Sequence, residues 1–364
     1  MAVAPDSILE IDLDAIAANW RRLRARLRRG AECAAVVKAD AYGLGAAQVG
    51  PRLWRAGCRL FFVADVGEGV ALRRLLPEAR VAILNGFEAG QAREFARARL
   101  IPVLNRLGEI TAWQKTARGA PAMIHLDTGM ARLGLPPAEA KRLAREPGLL
   151  AGVTVAAWIS HLSSAGNPAA KVNRTQLDAF RALLKSLPLA PASLAAGSGI
   201  FLGPAYHFDF VRPGAALYGV NPLPGHLNPM RQVARLKAKI LQTRDLDRGQ
   251  AVGYDGIFRM KHAGRVATVG IGYADGWLRS ASNRASVGVG GRRAPVIGRI
   301  SMDLFCIDVT GIDPKQVFPG AYVDLLDDSY GVDDFARDAG TIGYEVLTQL
   351  GDKHHRVYRG RRHA

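Results

Sequence analysis

The stretch Ala35-Val36-Val37-Lys38-Ala39-Asp40-Ala41-Tyr42-Gly43 places a lysine directly after a short, apolar, β-branched run. Such a run is typical of a buried strand, and Lys38 then lies where that strand ends. Burial disfavours the charged form of an amine, so a lysine at the edge of an apolar core can lose its proton near neutral pH and form a Schiff base with an aldehyde. The alternative is an ordinary lysine that reaches from a strand end into water.

Seven further β-rich runs follow the first, and Ala/Arg/Glu-rich helical stretches separate them up to about residue 215. The eight runs are residues 33–37, 60–64, 81–84, 100–104, 122–127, 152–159, 192–196 and 208–212. Alternation of strands and helices is typical of repeated βα units, and eight such units close a (β/α)₈ TIM barrel. The sequence therefore predicts an α/β barrel in the first part of the chain.

The pattern changes after Tyr218. The segment Asn221-Pro222-Leu223-Pro224-Gly225-His226 predicts a linker, and short alternating strands separated by Gly and Asp turns follow it. Examples are residues 233–243, 265–271, 285–289 and 304–309. We therefore expect a barrel domain at residues 1–228 and a mostly antiparallel β domain at residues 229–364, with residues 1–10 allowed to pack against the β domain.

The composition limits the class of protein. With 364 residues, of which 49% are hydrophobic, the chain can bury two cores. A net charge of +17 is common in nucleic-acid binders, and residues 21–29 form the densest basic stretch. However, Leu23 and Leu27 continue the helical spacing of Ile16 and Trp20, so the arginines can be the solvated face of an amphipathic helix. No aromatic residue interleaves with them to stack bases, and we expect no nucleic-acid partner.

The cysteines and the apolar runs indicate the compartment. Three widely spaced cysteines without a CxxC pair predict neither a disulfide framework nor a zinc site, and we expect no metal. Residues 1–20 carry four acidic residues and no apolar segment of a secretory signal. The best apolar run, residues 149–159, is shorter than the ~18 residues that a membrane span needs. We therefore expect a cytoplasmic protein without membrane contact.

Polar residues follow the predicted strands where a barrel places its chemistry. They are Lys38, Arg132, His161 and Ser198, with Asp127 and Arg212 as the last residues of their runs and Gly199 next to Ser198. The glycine-containing turns at residues 196–199 and 212–215 follow the last two strands, where barrels commonly hold a phosphate with backbone N–H groups. An aldehyde-reactive lysine with a phosphate site predicts pyridoxal 5'-phosphate. The alternatives are simple glycine turns, a hydrogen-bonded core His161, and an Arg212 paired with a structural carboxylate.

Segments in the same order along nearly the whole chain resemble those of alanine racemases, a family of fold-type III pyridoxal phosphate enzymes. They are IDLDAIAAN (11–19), AVVKADAYGLG (35–45), LDTGMARLG (126–134), VRPG (211–214), VGY (252–254), IGYADG (271–276), GRISMD (298–303) and YEV (344–346). The resemblance implies an isomerase that interconverts L-alanine and D-alanine by a two-base mechanism and supplies D-alanine for peptidoglycan.

The resemblance also implies roles for individual residues. Lys38 would bind the cofactor as a Schiff base and act as the base on one face of the substrate, and Tyr254 of a second subunit would act on the other. The protein would then be a homodimer whose active site is shared across the interface. The further residues implied for the cofactor are Tyr42, Ser198, Gly214, Ala215 and Tyr344 at the phosphate, Arg212 at the pyridine nitrogen with His161 beside it, and Arg132 at the phenolic oxygen. Arg132, Met302 and Tyr254 would bind the substrate, and Tyr273 and Arg279 would line the entry corridor.

Two positions depart from the family pattern. Ala196-Gly197 replaces a common Asn-Ser pair, so one phosphate hydroxyl is missing. His125 replaces a lysine that many members carbamylate to brace the arginine equivalent to Arg132. Because histidine forms no stable carbamate, we expect Arg132 to be positioned by His125 itself, by a bound anion or by water.

Other functions remain open from the sequence. Within the class, a racemase of broader range would act on serine or a basic amino acid. A non-catalytic pyridoxal phosphate carrier resembles the barrel alone, and the residues beyond the linker, with Tyr254 and Met302, argue against it. A nucleic-acid binder rests on charge alone and predicts a steep salt dependence.

Overall fold

The computed structural model describes residues 5–360. The strands are β1 (Ser7–Asp12), β2 (Glu32–Cys33), β3 (Ala35–Val36), β4 (Leu60–Val63), β5 (Arg80–Ile83), β6 (Leu100–Leu104), β7 (Pro121–His125), β8 (Thr154–Ile159), β9 (Ala192–Ser193), β10 (Phe210–Val211), β11 (Ala234–Leu246), β12 (Ala251–Val252), β13 (Phe258–Arg259), β14 (Gly264–Val269), β15 (Ser286–Val289), β16 (Arg292–Ile297), β17 (Phe305–Asp308), β18 (Tyr322–Leu326) and β19 (His355–Arg359). The helical segments are α1 (Leu13–Arg24), α2 (Lys38–Gly43), α3 (Ala46–Ala56), α4 (Val66–Leu75), α5 (Ala92–Arg97), α6 (Leu107–Thr116), α7 (Pro137–Arg145), α8 (Lys171–Leu184), α9 (Val332–Ala339) and α10 (Gly343–Gln349). All are right-handed α-helices except α2, which is a short left-handed turn.

The predicted barrel is confirmed. Strands β3 to β9 form a parallel sheet in sequence order, and β10 pairs in parallel with β2. Backbone hydrogen bonds close the circle, because the Arg212 N–H donates to the Ala195 carbonyl and the Val36 N–H donates to the Pro213 carbonyl. Each predicted run contains strand residues, and the first run is divided between β2 and β3.

Helix α1 precedes the first barrel strand and packs against α3. Its apolar side buries Ile16, Trp20 and Leu23, and Asp12 caps its start by accepting a hydrogen bond from the Ala15 N–H at 2.8 Å. The arginines at positions 21–29 are exposed, as the amphipathic interpretation of this stretch predicts. The basic stretch is therefore the solvated side of a helix and of the turn that follows it.

The second sheet has the strand order β14-β17-β16-β15-β18-β11-β1-β19, with a further pairing between β14 and β11. The four segments predicted after the linker correspond to β11, β14, β15 and β17. Strand β1 pairs antiparallel with β11 and parallel with β19, so the start of the described chain belongs to this sheet.

The sequence patterns did not predict two helices near the end of the described chain, α9 and α10. Helix α9 stacks Phe335 on Trp277, with ring centroids 3.8 Å apart. Helix α10 packs against α2 and carries Tyr344 to the mouth of the barrel. Arg356 of β19 also contacts α2, because its Nη1 donates to the Gly43 carbonyl at 2.9 Å. The second sheet and its helices therefore cover one side of the barrel mouth.

Across residues 5–360, none of the helices combines the length and the apolar character that a membrane crossing requires.

Candidate active site

A cavity of about 670 Å³ lies at the carboxyl ends of the barrel strands and contains most of the predicted site residues. They are Lys38, Tyr42, Arg132, His161, Ser198, Arg212, Gly214, Ala215 and Tyr344. A larger cavity, of about 1010 Å³, lies between the linker and α9, but of the predicted residues it contains only Tyr344. Chemistry rather than size therefore identifies the smaller cavity as the candidate site.

Lys38 begins a turn of unusual handedness. The four residues after it, 39–42, all have φ between 50° and 57°, and none of them is glycine. This left-handed conformation costs about 1–2 kcal/mol per residue, because Cβ approaches the following carbonyl oxygen. Such strain persists only where the surrounding structure fixes it, and it is often found at functional sites.

The environment of Lys38 favours its neutral amine. Burial lowers the pKa of Lys38, and the charge of Arg132 lowers it further, while Glu68 acts in the opposite direction. This is the direction that a carbonyl-reactive lysine requires.

Arg212 is buried, with 5% of its surface exposed, and is held by uncharged groups. Its Nη1 donates to Ser193 Oγ, its Nη2 donates to the Ser160 carbonyl, and Nη2 lies 3.5 Å from His161 Nδ1. Within residues 5–360, no carboxylate oxygen lies within 4.0 Å of its guanidinium, so the structural ion pair considered above is absent. Burial lowers the pKa of Arg212 to about 10, which still leaves the side chain charged at neutral pH.

Two histidines beside these cations remain neutral. Burial, together with the charges of Arg212 and Arg132, lowers the pKa of His161 to about 3. Burial and Arg212 lower the pKa of His125 to about 4. The cavity therefore carries positive charge from arginines while its imidazoles act as neutral hydrogen-bonding groups.

His125 is fixed by an amide rather than by Arg132. Its Nδ1 lies 2.9 Å from Asn105 Oδ1, and Asn105 Nδ2 donates to the carbonyls of Val103 and Leu84. Because the Asn105 amino group is used in this way, its oxygen must accept, which places the His125 proton on Nδ1. Within residues 5–360, Arg132 donates no hydrogen bond to His125, so the first of the three groups expected to position Arg132 does not contact it in this way.

Asp127 shapes the loop that carries Arg132. Its carboxylate accepts hydrogen bonds from the N–H groups of Gly129 and Met130, both at 2.9 Å, and of Ala131. Burial alone would raise the pKa of Asp127, but these three donors outweigh it and lower the pKa. The loop before Arg132 is thus held by an ionised carboxylate.

Hydroxyl and backbone groups also line the cavity. The ring of Tyr42 lies between those of Tyr218 and Tyr344, with centroid distances of 4.9 and 6.1 Å. A Cβ on Gly214 would lie only 2.2 Å from the Tyr42 hydroxyl, so the close approach of this backbone requires glycine. Hydroxyl and backbone groups beside cations that have no ion pair within residues 5–360 suit an anionic, phosphorylated ligand.

The remaining predicted residues lie elsewhere in the same chain. Tyr254, Tyr273, Arg279 and Met302 line a separate cavity of about 310 Å³ together with Arg299. Tyr254 is 68% exposed and Met302 is 54% exposed. One copy of the chain therefore brings the barrel residues together and leaves these four at a second, open surface.

Comparison with known proteins assigns the family. Residues 11–222 match the family model described as "Alanine racemase, N-terminal domain", and residues 233–358 match "Alanine racemase, C-terminal domain". The chain belongs to the alanine racemase family. Because both halves match, the resemblance extends well beyond the barrel.

Individual alanine racemases agree with this assignment. The chain is 48% identical to the alanine racemase of Rhodospirillum rubrum, over 97% of this chain and 96% of that protein. Among solved structures, the alanine racemase of Bartonella henselae with covalently bound pyridoxal phosphate has a TM-score of 0.93 and 40% identity, covering 98% of this chain and all of the other. The biosynthetic alanine racemase of Pseudomonas aeruginosa has a TM-score of 0.92 and 32% identity, with the same coverage.

Sequence reasoning missed several residues that support the candidate site of this alanine racemase family member. They are Glu68, Asn105, Ser160, Gln176 and Ser193. Ser193 lies within the seventh predicted strand. A polar residue in this apolar run could have indicated a buried hydrogen-bonding partner. Gln176, on α8, donates to the His161 carbonyl at 2.9 Å, a contact between distant segments that no local pattern indicates.

Proposed function

We propose that this chain is a pyridoxal 5'-phosphate-dependent alanine racemase that interconverts L-alanine and D-alanine. The observation that carries the proposal is the cavity that gathers Lys38, Arg132 and Arg212 without a paired carboxylate within residues 5–360. An anionic cofactor with a carbonyl group complements this arrangement, and the B. henselae relative is described with pyridoxal phosphate covalently bound.

The bound cofactor would supply an electron sink for the negative charge that develops when the substrate α-proton leaves. Lys38 would hold it covalently and, once released by substrate, move a proton at the α-carbon on one face. The lowered pKa of Lys38 supports this role, because a base must be neutral to accept a proton. Tyr254 would move the proton on the other face.

Two arginines would orient the cofactor and the substrate. A guanidinium can only donate hydrogen bonds, so Arg212 would leave the pyridine nitrogen unprotonated and weaken the electron sink. A weaker sink limits side reactions such as transamination. Arg132 would bind the phenolic oxygen and, with the Met302 N–H, the substrate carboxylate. Tyr42, Ser198, Gly214, Ala215 and Tyr344 would hold the phosphate.

We further propose a homodimer in which Tyr254 and Met302 complete the site of the other subunit, with Tyr273 and Arg279 lining the entry corridor. The support is the exposure of Tyr254 and its place in a cavity apart from Lys38. A proton donor that closes a water-excluding site is expected to be covered in the active assembly.

We place the domain boundary between residues 228 and 229, with Ser7–Asp12 as part of the second sheet.

We propose a cytoplasmic location and the supply of D-alanine for peptidoglycan. The relatives include a racemase called biosynthetic in Agrobacterium fabrum and one called catabolic in Mesorhizobium japonicum. D-alanine dependence of a strain that lacks the gene would support the biosynthetic role, and unaffected growth would contradict it.

The direct test uses L-alanine and the purified protein, loaded with cofactor, in deuterated water. We expect the α-proton to be replaced by deuterium while the optical rotation decays to zero. Absence of exchange in protein that retains the cofactor would overturn the proposal. Parallel turnover of serine and lysine measures the substrate range, and a faster rate on either of them than on alanine would reassign the substrate.

A further inference from the structure

Glu68 makes two backbone contacts at the mouth of the barrel. Its Oε1 accepts a hydrogen bond from the Ala39 N–H at 2.6 Å, and its Oε2 accepts one from the Ala64 N–H at 2.7 Å. Ala39 follows Lys38, and Ala64 follows β4, the strand that pairs with β3. One carboxylate therefore joins the ends of two neighbouring strands at the point where Lys38 enters the cavity.

The position of Glu68 is itself fixed. Its backbone N–H donates to Asp65 Oδ1 at 3.0 Å, where Asp65 caps the start of α4. The first turn of this helix thus presents the Glu68 carboxylate to the two strand ends from a rigid base. Because the helix start already fixes the backbone of Glu68, only its side-chain dihedrals have to be ordered to make these contacts.

The backbone that Glu68 contacts is the strained left-handed turn of residues 39–42. Ala39 is the first of its four residues. Other contacts hold the later part of the turn: Asp40 Oδ1 accepts from the Ala46 N–H at 2.7 Å, and Arg356 donates to the Gly43 carbonyl. At the Lys38 end, the Ala39 N–H is held by Glu68.

We infer that Glu68 is a positioning residue for Lys38, because its carboxylate locks the Ala39 and Ala64 amides together and keeps the left-handed turn that aims the lysine into the cavity. This inference rests on the role proposed for Lys38. It predicts that both the reach and the charge of Glu68 matter, since each oxygen has its own donor.

The charge of Glu68 has a separate consequence. Within residues 5–360, Glu68, Arg132 and His161 are charged or titratable groups that interact with Lys38. His161 is neutral at ordinary pH, so Glu68 is the negative charge that opposes Arg132 in this set. Replacing it with glutamine removes that opposition, and the proton held at the Lys38 nitrogen is then lost at lower pH.

The test compares Glu68→Gln and Glu68→Asp with the wild-type holoenzyme. Glutamine keeps the length but offers one acceptor oxygen, whereas aspartate keeps the charge but is one methylene too short to span both amides. Glu78→Gln, which removes an exposed carboxylate just beyond α4, is the matched control. Thermal unfolding confirms that each variant is folded.

Three readouts are measured on these proteins. Hydroxylamine reacts with the carbonyl group of the cofactor and so releases the cofactor from the protein. We expect both Glu68 variants to release the cofactor about 10-fold faster than the wild type does, because each loses a hydrogen bond to a charged group. Amide hydrogen exchange at residues 38–44 should be faster in both variants and unchanged in the control. The pH at which the visible absorption of the bound cofactor changes should fall in Glu68→Gln only.

The outcomes separate the inference from the proposed function. Wild-type release and exchange rates in both Glu68 variants would overturn the inference, as would a normal Glu68→Asp beside an altered Glu68→Gln, because reach would then be irrelevant. If the absorption of the bound cofactor changed at the same pH in Glu68→Gln as in the wild type, the inferred effect of the Glu68 charge on the Lys38 nitrogen would be overturned. A wild-type protein that binds no pyridoxal phosphate would instead refute the proposed function. Amide exchange at residues 38–44 would still measure whether Glu68 stabilises the left-handed turn.

Discussion

The two groups of predicted site residues differ in how completely one chain surrounds them. At the barrel mouth, Arg212 is buried and bonded to Ser193 and Ser160, and His161 is fixed beside it. In the second group, Tyr254 and Met302 are more than half exposed. The barrel group is therefore organised by the fold of a single chain, whereas the second group has the exposure expected of residues that act only after assembly.

The largest effect should come from removing the lysine of the barrel group. We expect Lys38→Ala to lower the racemisation rate by about 10³-fold or more, because it removes both the covalent attachment and a proton-transfer group. Initial rates with L-alanine and with D-alanine measure this loss. The exposed Lys185 provides a control, since Lys185→Ala should keep the wild-type rate. A Lys38→Ala protein with near wild-type activity would remove Lys38 from the mechanism.

Tyr254 tests whether the second group contributes to catalysis. We expect Tyr254→Phe to retain the cofactor but to slow proton exchange by ~100-fold, mainly for one enantiomer, because only one face of the α-carbon loses its base. Separate deuterium-exchange rates for L-alanine and D-alanine provide the measurement. Equal retention of both rates would reject the two-base assignment.

Mixing variants tests whether the two groups meet across an interface. Lys38→Ala and Tyr254→Phe subunits, unfolded together and refolded in equal amounts, should regain about one quarter of wild-type activity. Half of the dimers are then mixed, and each mixed dimer has one intact site of its two. If both residues act within one chain, every site lacks one group and no activity returns.

Ser193 gives a smaller effect within the barrel group. Its hydroxyl accepts a hydrogen bond from the buried, charged Arg212. Ser193→Ala leaves that donor without its partner, and we expect cofactor affinity to fall by about 10-fold. Equilibrium titration with pyridoxal phosphate measures the change, and Ser186→Ala, at an exposed serine after α8, serves as the control. Equal affinities would show that Ser193 does not orient Arg212.

The smallest effect concerns stability against pH. Burial lowers the pKa of His125 from 6.5 to about 4 in the folded protein. Below pH 6.5 the unfolded chain therefore binds a proton that the folded chain does not, and the free energy of unfolding falls as the pH drops toward 4. His125→Asn removes this group, so its loss of stability between about pH 7 and about pH 5 should be smaller than that of the wild type.

Urea unfolding of the cofactor-free chain at both pH values measures this difference. The exposed His262 provides the control, because His262→Asn should keep the wild-type slope. A slope for His125→Asn as steep as that of the wild type would show that His125 is not held neutral by burial.

Much of the barrel was predictable, because its strands and helices are recorded in local hydrophobic patterns. Each predicted run contributes to the circle, and the residues that follow the runs meet at one mouth, since parallel strands direct their carboxyl ends to the same side. The second sheet was predictable as a class, but α9 and α10 were missed. These helices are short, and their place beside Trp277 and the barrel mouth is set by tertiary packing.

The sequence by itself determined the βα order, the lysine at a strand end and the family. Only the tertiary structure decided that β1 joins the second sheet, that residues 39–42 turn left-handed, and that Glu68 and Ser193 hold the residues beside them. The physical reason is range. Hydrophobic periodicity acts between neighbours along the chain, whereas strand pairing, backbone strain and a buried guanidinium depend on groups that folding brings together from distant positions.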